Sequence, residues 1–182
     1  KPFEYLTSRG FKRETIEEFC LGYDRKRNSV VIPLYGPNGE VVGLANRYLS
    51  GEIKYTNPPS HVLDKKSYVY NLHRALERVK ETGTLYVVEG YFDAMALHQL
   101  GYAAVAVMGS HVTKEQAELI KSSLPEGVRI VLLPDNDEAG CKAVQANISR
   151  FGTAEAAYLR DGIKDAADIV AKGLTLVEAL AG

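Results

Sequence analysis

Apolar and polar positions follow two rhythms along this chain, and the change falls near residue 72. Before it, Phe3, Leu6, Phe11, Ile16, Phe19 and Cys20 give one apolar side to two short helices over residues 2–22, with Gly10 as the break between them. Ser29–Tyr35 (SVVIPLY) reads as a strand. Gly36-Pro37-Asn38-Gly39 is a strong turn signal, and Val41–Leu49 returns as the second arm of a hairpin. Ile53–Tyr55 reads as a third strand, and Pro58-Pro59-Ser60 breaks the chain into a loop. The pattern over residues 1–80 predicts a small α+β subdomain.

From Leu72 a charged helix runs to about Glu81 and ends at Thr82-Gly83-Thr84. Strands and helices then alternate. Strands are expected at Leu85–Glu89, Ala104–Met108, Val128–Leu133 and Ala154–Leu159. Helices are expected at Tyr91–Leu100, Thr113–Ser122, Glu138–Arg150 and from about Ala166 onward. Thr113 with Gln116 forms a capping box at the start of one of them. Short, continuously apolar strands between helices predict a mainly parallel four-stranded sheet covered on both faces, so residues 81–182 form an α/β domain.

Carboxylates stand where that architecture makes them matter. Glu89 closes the first of these strands. Asp135-Asn136-Asp137 follows the third, and Asp161, Asp165 and Asp168 follow the fourth. In an open parallel sheet the strand C-termini share one edge, and sites form there, so acids far apart in sequence meet. Carboxylates meeting at one point repel unless protonated or neutralised by a cation. Oxygen-only donors favour Mg2+ or Mn2+. Each acid also has a simpler use: Asp135 or Asp137 suits the N-cap of the helix that follows, and one residue of the pair can serve both purposes.

Composition adds few constraints. With 46% hydrophobic and 25% charged residues, the chain falls in the range of ordinary globular proteins. No apolar run approaches the roughly 20 residues of a membrane span, and no signal peptide is visible. Cys20 and Cys141 are too few for a four-cysteine zinc site, and free thiols in a reducing cytoplasm are expected. Net charge is −1 but uneven. Residues 1–80 hold 14 Lys/Arg against 9 Asp/Glu, and residues 81–182 hold 8 against 14. A basic front beside an acidic back suits a polyanion held next to a metal site.

An isolated Asp-x-Asp is a weak signal, shared with haloacid-dehalogenase-type phosphatases. Here it is joined by VVEGYFDAMAL (Val87–Leu97), LLPDNDEAG (Leu132–Gly140) and LRDGIKDAADIV (Leu159–Val170). The first two resemble the signature segments of the TOPRIM domain of topoisomerases and primases. The third is similar to the last acidic segment of DnaG-type primases. YLTSRGF (Tyr5–Phe11), FCLGY (Phe19–Tyr23), SVVIPLYGPNGEVVGLANRYL and KYTNPPSHVLDKKSYVYNL resemble the front part of a primase catalytic core. The resemblance spans nearly the whole chain.

It implies a Rossmann-like TOPRIM domain after a basic subdomain, and an RNA polymerase that makes primers on single-stranded DNA from ribonucleoside triphosphates. Divalent metal, Mg2+ or Mn2+, would be held by Glu89, Asp135 and Asp137. Asp93, one helical turn after Glu89, would support them with Asp165 and Asp168, or hold a second ion. Arg9, Arg47, Lys54, Asn57 and Lys65 would line the nucleotide and nucleic-acid path. Apart from the resemblance, Tyr55 and Tyr70 are candidates to stack on bases, with a place in the core or an interface as the alternative. Backbone N–H groups near Gly109-Ser110 and the helix start at Thr113 are a candidate phosphate contact, with a simple capped turn as the alternative.

The chain departs from typical DnaG-type primases. It has no zinc-binding Cys/His module, a short Asp24–Asn28 segment, and no helical bundle or helicase-binding tail. It begins at Lys1-Pro2 without Met. A compact or excised core is therefore expected, with any replicative helicase contacted through regions outside this sequence. A metal-dependent TOPRIM nuclease and a non-catalytic nucleic-acid-binding module of a replication protein are the alternative functions.

Overall fold

The computed structural model describes residues 2–181. Helices α1 (Pro2–Ser8) and α2 (Arg13–Glu18) are separated by a turn at Gly10, whose φ is 84°. A Cβ at Gly10 would lie 2.3 Å from the carbonyl oxygen of Val170, so glycine permits the close approach of this turn to the C-terminal part of the chain. Four antiparallel strands follow, in the order β1 (Gly22–Asp24), β2 (Ser29–Tyr35), β3 (Val41–Tyr48) and β4 (Tyr55–Thr56). On β2, Val30, Ile32 and Leu34 are fully buried at period two, which fixes the register against β3.

The periodicity did not predict β1. Gly22–Asp24 is too short to show alternation, and it is held by pairing with Ser29–Val31. The third strand, expected at 53–55, forms at 55–56.

Helix α3 (Leu72–Thr82) leads into the second sheet. Its strands are β5 (Thr84–Val88), β6 (Ala103–Ala106), β7 (Arg129–Leu132) and β8 (Glu155–Ala156), joined by α4 (Tyr91–Gln99), α5 (Lys114–Ser123) and α6 (Glu138–Phe151). All three pairings are parallel, in the order β6-β5-β7-β8. Residues of β5 alternate between faces. Leu85 and Val87 pack with Leu72, Ala75 and Val79 of α3, with Ile120 of α5 and with Phe151 of α6. Val88 packs on the other face with Ala94, Met95 and Leu97 of α4. Helix α4 is buried almost all round because the N-terminal helices and α7 (Ala166–Ala171) cover the side that the sheet leaves open.

The fourth strand is two residues long where six were expected. Beyond Ala156 the chain leaves the sheet, and Leu159 makes an isolated bridge to Leu180. The last helical stretch is split into α7 and α8 (Leu176–Ala179), with Gly173 at φ 67° between them.

From β5 the chain moves outward to β6. From β7 it moves the opposite way to β8. The crevice between the C-terminal ends of β5 and β7 is therefore the topological switch point, where open α/β sheets place their sites.

Candidate metal centre and nucleotide cleft

Glu89 follows β5 and Asp135 follows β7, so the switch point lies between them. The Asp135 N–H donates to Glu89 Oε1 at 3.2 Å, which joins the two strand ends. Gly140 makes this approach possible: a Cβ there would lie 2.4 Å from the Asp135 carbonyl oxygen and 2.9 Å from Glu89 Oε1. The glycine of the Asp-x-Asp-x-Ala-Gly segment is thus required by the backbone packing of the site.

The remaining acids have distinct local roles. Asp137 is the N-cap of α6, and its Oδ1 accepts the Gly140 N–H at 2.8 Å. Asp165 caps α7 by accepting the Asp168 N–H at 2.9 Å, and Asp168 Oδ2 accepts the Lys164 N–H at 3.1 Å. Asp93 is buried, with Oδ2 accepting the Gly90 N–H at 3.1 Å and Oδ1 accepting the Ala167 N–H at 2.9 Å. It fastens the start of α4 to the start of α7, which brings the third acidic segment to the site. Asp161 lies in an exposed turn away from the cleft.

The carboxylates perturb one another. Burial, then Asp93, Glu89, Asp165 and Asp137, push the Asp135 carboxyl up to about 8. Burial and Asp165 push Asp93 up to about 7, against two backbone N–H groups that stabilise its charged form. Glu89 is raised by burial and, to a lesser extent, by Asp137, while the Asp135 N–H pulls the other way. Such crowding favours either protons or a cation.

Glu89, Asp93, Asp135, Asp165 and Asp168 line a cleft of about 440 Å³, and Arg9, Arg47, Lys54, Asn57 and Lys65 line the same cleft. Of the eleven residues expected from sequence to hold metal or nucleotide, Asp137 alone does not line it. The Nε atoms of Arg9 and Arg47 are buried with no hydrogen-bond partner among the described residues. Arg47 also donates from Nη1 to the Lys54 carbonyl at 3.3 Å, and its guanidinium lies 4.9 Å from the centre of the Tyr55 ring. Two arginines short of acceptors thus share one cleft with crowded acids.

Among the described residues no three His, Cys, Asp or Glu side chains are grouped so as to hold a metal ion by themselves. The donor set still fits Mg2+-like chemistry. That ion is usually held by one or two carboxylates, with waters and substrate phosphates as the other ligands. Glu89 and Asp135 supply such a pair, and the side-chain oxygens of Asp135 accept no hydrogen bond from any described residue.

Sequence reading missed several contributors. Lys164 lines the cleft from inside the third acidic segment. Asn136 ties that segment to the β7 edge. Its N–H donates to the Lys164 carbonyl at 2.7 Å and its Nδ2 to the Ile163 carbonyl at 3.2 Å. Its position between two aspartates was the available signal. Tyr91 and Met108 also line the cleft. Tyr91 is buried, and nothing in the local pattern separates it from a core tyrosine.

Two open alternatives are decided by the packing. Tyr70 is 1% exposed, with its backbone paired to Ala106 and its ring against Phe19 and Tyr91, so it is not free to stack on a base. At the start of α5 the Thr113 hydroxyl accepts the Gln116 N–H, and Gln116 Oε1 accepts the Thr113 N–H. The cap is satisfied internally, as in the capped-turn alternative. Cys20 and Cys141 are free thiols, and both are exposed.

A Toprim-like family model matches residues 86–170. Curated relatives include the DNA primase of Campylobacter jejuni, 34% identical over 94% of this chain and 29% of that protein. The DNA primase of Synechococcus elongatus is 40% identical over 69% of this chain and 18% of that protein. Among solved structures, the DnaG catalytic core aligns with a TM-score of 0.79 at 26% identity, over 94% of this chain and 68% of that one. The Aquifex aeolicus primase, comprising zinc-binding and RNA polymerase domains, aligns at 0.78 and 28%, over 93% and 52%. The chain spans less than a third of the length of these curated relatives.

Fold, site and likeness together define a TOPRIM-containing α/β protein. Within that class the chain belongs with the DnaG-type primases, and what it corresponds to in them is the catalytic core. That family works with divalent metal, in keeping with the all-oxygen donor set here. No helix among the described residues is long and apolar enough to cross a membrane.

Proposed function

We propose that this chain is a primase core that joins ribonucleotides on single-stranded DNA, acting in the cytoplasm. The observation that carries the reading is the single cleft shared by acids from the parallel-sheet edge and by cations from the N-terminal part. Residues 1–80 serve as the nucleotide- and template-binding subdomain and residues 81–182 as the metal-binding domain. A solved structure described as a DnaG primase catalytic domain bound to ssDNA aligns with a TM-score of 0.77 at 25% identity, which supports a single-stranded template. A replicative helicase is a natural partner for such an activity, met through regions other than this one.

In this reading Glu89 and Asp135 hold Mg2+ or Mn2+, with Asp137 close by as a further ligand. Asp165 and Asp168 complete the acidic rim, and Asp93 locks it in place. A bound ion would screen the triphosphate and favour the attacking 3′-alkoxide. The chain's own residues do the rest by positioning and charge. Arg9 and Arg47 offer their buried Nε–H groups to phosphate oxygens, Lys54 and Lys65 add positive charge, and Asn57 orients the nucleotide near its ribose or base. No nucleophilic side chain is needed, because the attacking group is the primer hydroxyl and the leaving group is pyrophosphate.

De novo synthesis on mixed-sequence single-stranded DNA, with labelled ribonucleotides and Mg2+ or Mn2+, tests the proposal. Short RNA products that vanish in Glu89→Gln and Asp135→Asn are expected. Strand cleavage without incorporation would overturn it in favour of a nuclease.

A further inference from the structure

A second cavity, of about 390 Å³ and mostly apolar, adjoins the acid-and-cation cleft. The two share Asn57, Lys65, Tyr91 and Met108 as lining. Pro58 and Leu63 give the slot its apolar surface, with Ser60 and Asp64 also lining it. Its size falls within the range of small-molecule sites, and an apolar lining with a few polar groups is their usual character.

The slot is built and held from several sides. Gly43 leaves room for Pro58: a Cβ there would lie 2.8 Å from the proline Cγ. The loop's far end is fixed by α5, where Gln116 Nε2 donates to the Lys65 carbonyl at 3.2 Å and the Thr113 hydroxyl donates to the Lys66 carbonyl. Asp64 Oδ1 accepts the Lys66 N–H at 3.0 Å and turns the chain. The shared wall is equally constrained. The Tyr91 hydroxyl lies between Asn57 Oδ1 and the Met108 sulfur. Met108 is held at φ 58°, a left-handed conformation that a side chain as long as methionine rarely adopts. Strain of this kind persists where surrounding structure dictates it, and it is concentrated at ligand sites.

We propose that this slot receives the base of the nucleotide whose triphosphate lies in the adjoining cleft. This rests on the reading of the cleft as a triphosphate site. A nucleobase is flat, largely apolar on its faces and polar at its edge. Met108, Pro58 and Leu63 provide surfaces for the faces, and thioether–aromatic contact is favourable. The Asn57 Oδ1 is taken by Tyr91, so its amide N–H groups remain to meet a base or ribose acceptor. Tyr91 is then a positioning residue for Asn57 and Met108 together.

Calorimetric titration of the full chain with ATP and with inorganic tripolyphosphate, each with Mn2+, tests the proposal. ATP is expected to bind at least about tenfold more tightly, the loss typical of one removed base contact. Ser60→Trp, which fills the slot from an exposed position, and Leu63→Ala, which removes its apolar surface, should bring ATP down to the tripolyphosphate value. Tripolyphosphate affinity and the thermal midpoint of Ser60→Trp should stay as in the wild type. Equal affinities in the wild type, or variants that weaken both ligands alike, would overturn the proposal. Tight, variant-sensitive ATP binding with no detectable binding of tripolyphosphate at any concentration would retain the base slot and remove the triphosphate reading of the cleft. Loss of hexathymidylate binding in Ser60→Trp with ATP unchanged would give the slot to a strand base and overturn the assignment to the free nucleotide.

Discussion

Replacing Asp135 by Asn should stabilise the metal-free protein while removing its response to metal. The Asp135 carboxyl is pushed from its ordinary range up to about 8, first by burial and then by Asp93, Glu89, Asp165 and Asp137. The native state therefore keeps a proton between about pH 4 and 8 that the unfolded chain has already lost. Native protein binds more protons in that window, so its stability falls as pH rises through it. At about 1.4 kcal/mol for each tenfold change in proton affinity, the full displacement corresponds to roughly 5–6 kcal/mol. Asp135 remains partly open to water, which screens the repulsion, so the expected effect at pH 8 is about 2 kcal/mol. An amide at this position carries no charge, and the Asp135 side chain has no protein hydrogen bond to lose. Urea unfolding in EDTA at pH 6 and pH 8.5, with and without saturating Mn2+, measures it. Wild type should lose stability with pH in EDTA and regain it with Mn2+, through the mass action of a ligand that binds the native state. Asp135→Asn should be flatter with pH, more stable than wild type at pH 8.5 in EDTA, and indifferent to Mn2+. A variant less stable than wild type under those conditions would refute the argument that these acids repel at a shared site.

Three further outcomes follow from the geometry. Glu89→Gln should reduce primer synthesis by at least about a thousandfold while circular dichroism and the unfolding midpoint stay near wild type, the cost expected when a metal-holding charge is lost; retained activity would exclude the metal role. Arg47→Ala and Lys54→Ala should each lower the salt dependence of single-stranded DNA binding by about one phosphate contact, read as the slope of affinity against salt. Gly140→Ala should cost about 1–3 kcal/mol in urea unfolding, because the added methyl meets the Asp135 carbonyl and Glu89 Oε1 at 2.4 and 2.9 Å, and it should weaken Mn2+ binding by moving both.

Much of this was legible in the amino-acid sequence, for identifiable reasons. The strands Thr84–Val88, Ala103–Ala106 and Arg129–Leu132 are mostly buried, so each appears as a short apolar run, and those of β5 and β7 lead into Glu89 and Asp135. Because sites form at strand C-termini, the sequence alone places Glu89 and Asp135 together. The Thr113–Gln116 capping box is a purely local signal and formed as expected. Strands β1, β4 and β8 were hidden or displaced, since two or three residues show no period and are fixed by their partners. Tyr70 and Tyr91 illustrate a different limit. Both are buried tyrosines after apolar segments, yet one closes the core and the other lines the cleft. The distinction comes from packing across the two sheets, with α1, α2 and α7 enclosing α4, and no local pattern encodes it. Asp137 and Asp165 show how a helix cap and a ligand-type acid share one spacing, so that only the hydrogen bonds of Gly140 and Asp168 reveal the capping use.

The account depends on Glu89 and Asp135 holding a divalent cation between the ends of β5 and β7. Crystals grown with Mn2+ and measured at its absorption edge test this directly. An anomalous peak within coordination distance of both carboxylates is expected, and it should be lost in Asp135→Asn. A peak elsewhere, or one bound by neither residue, would contradict it.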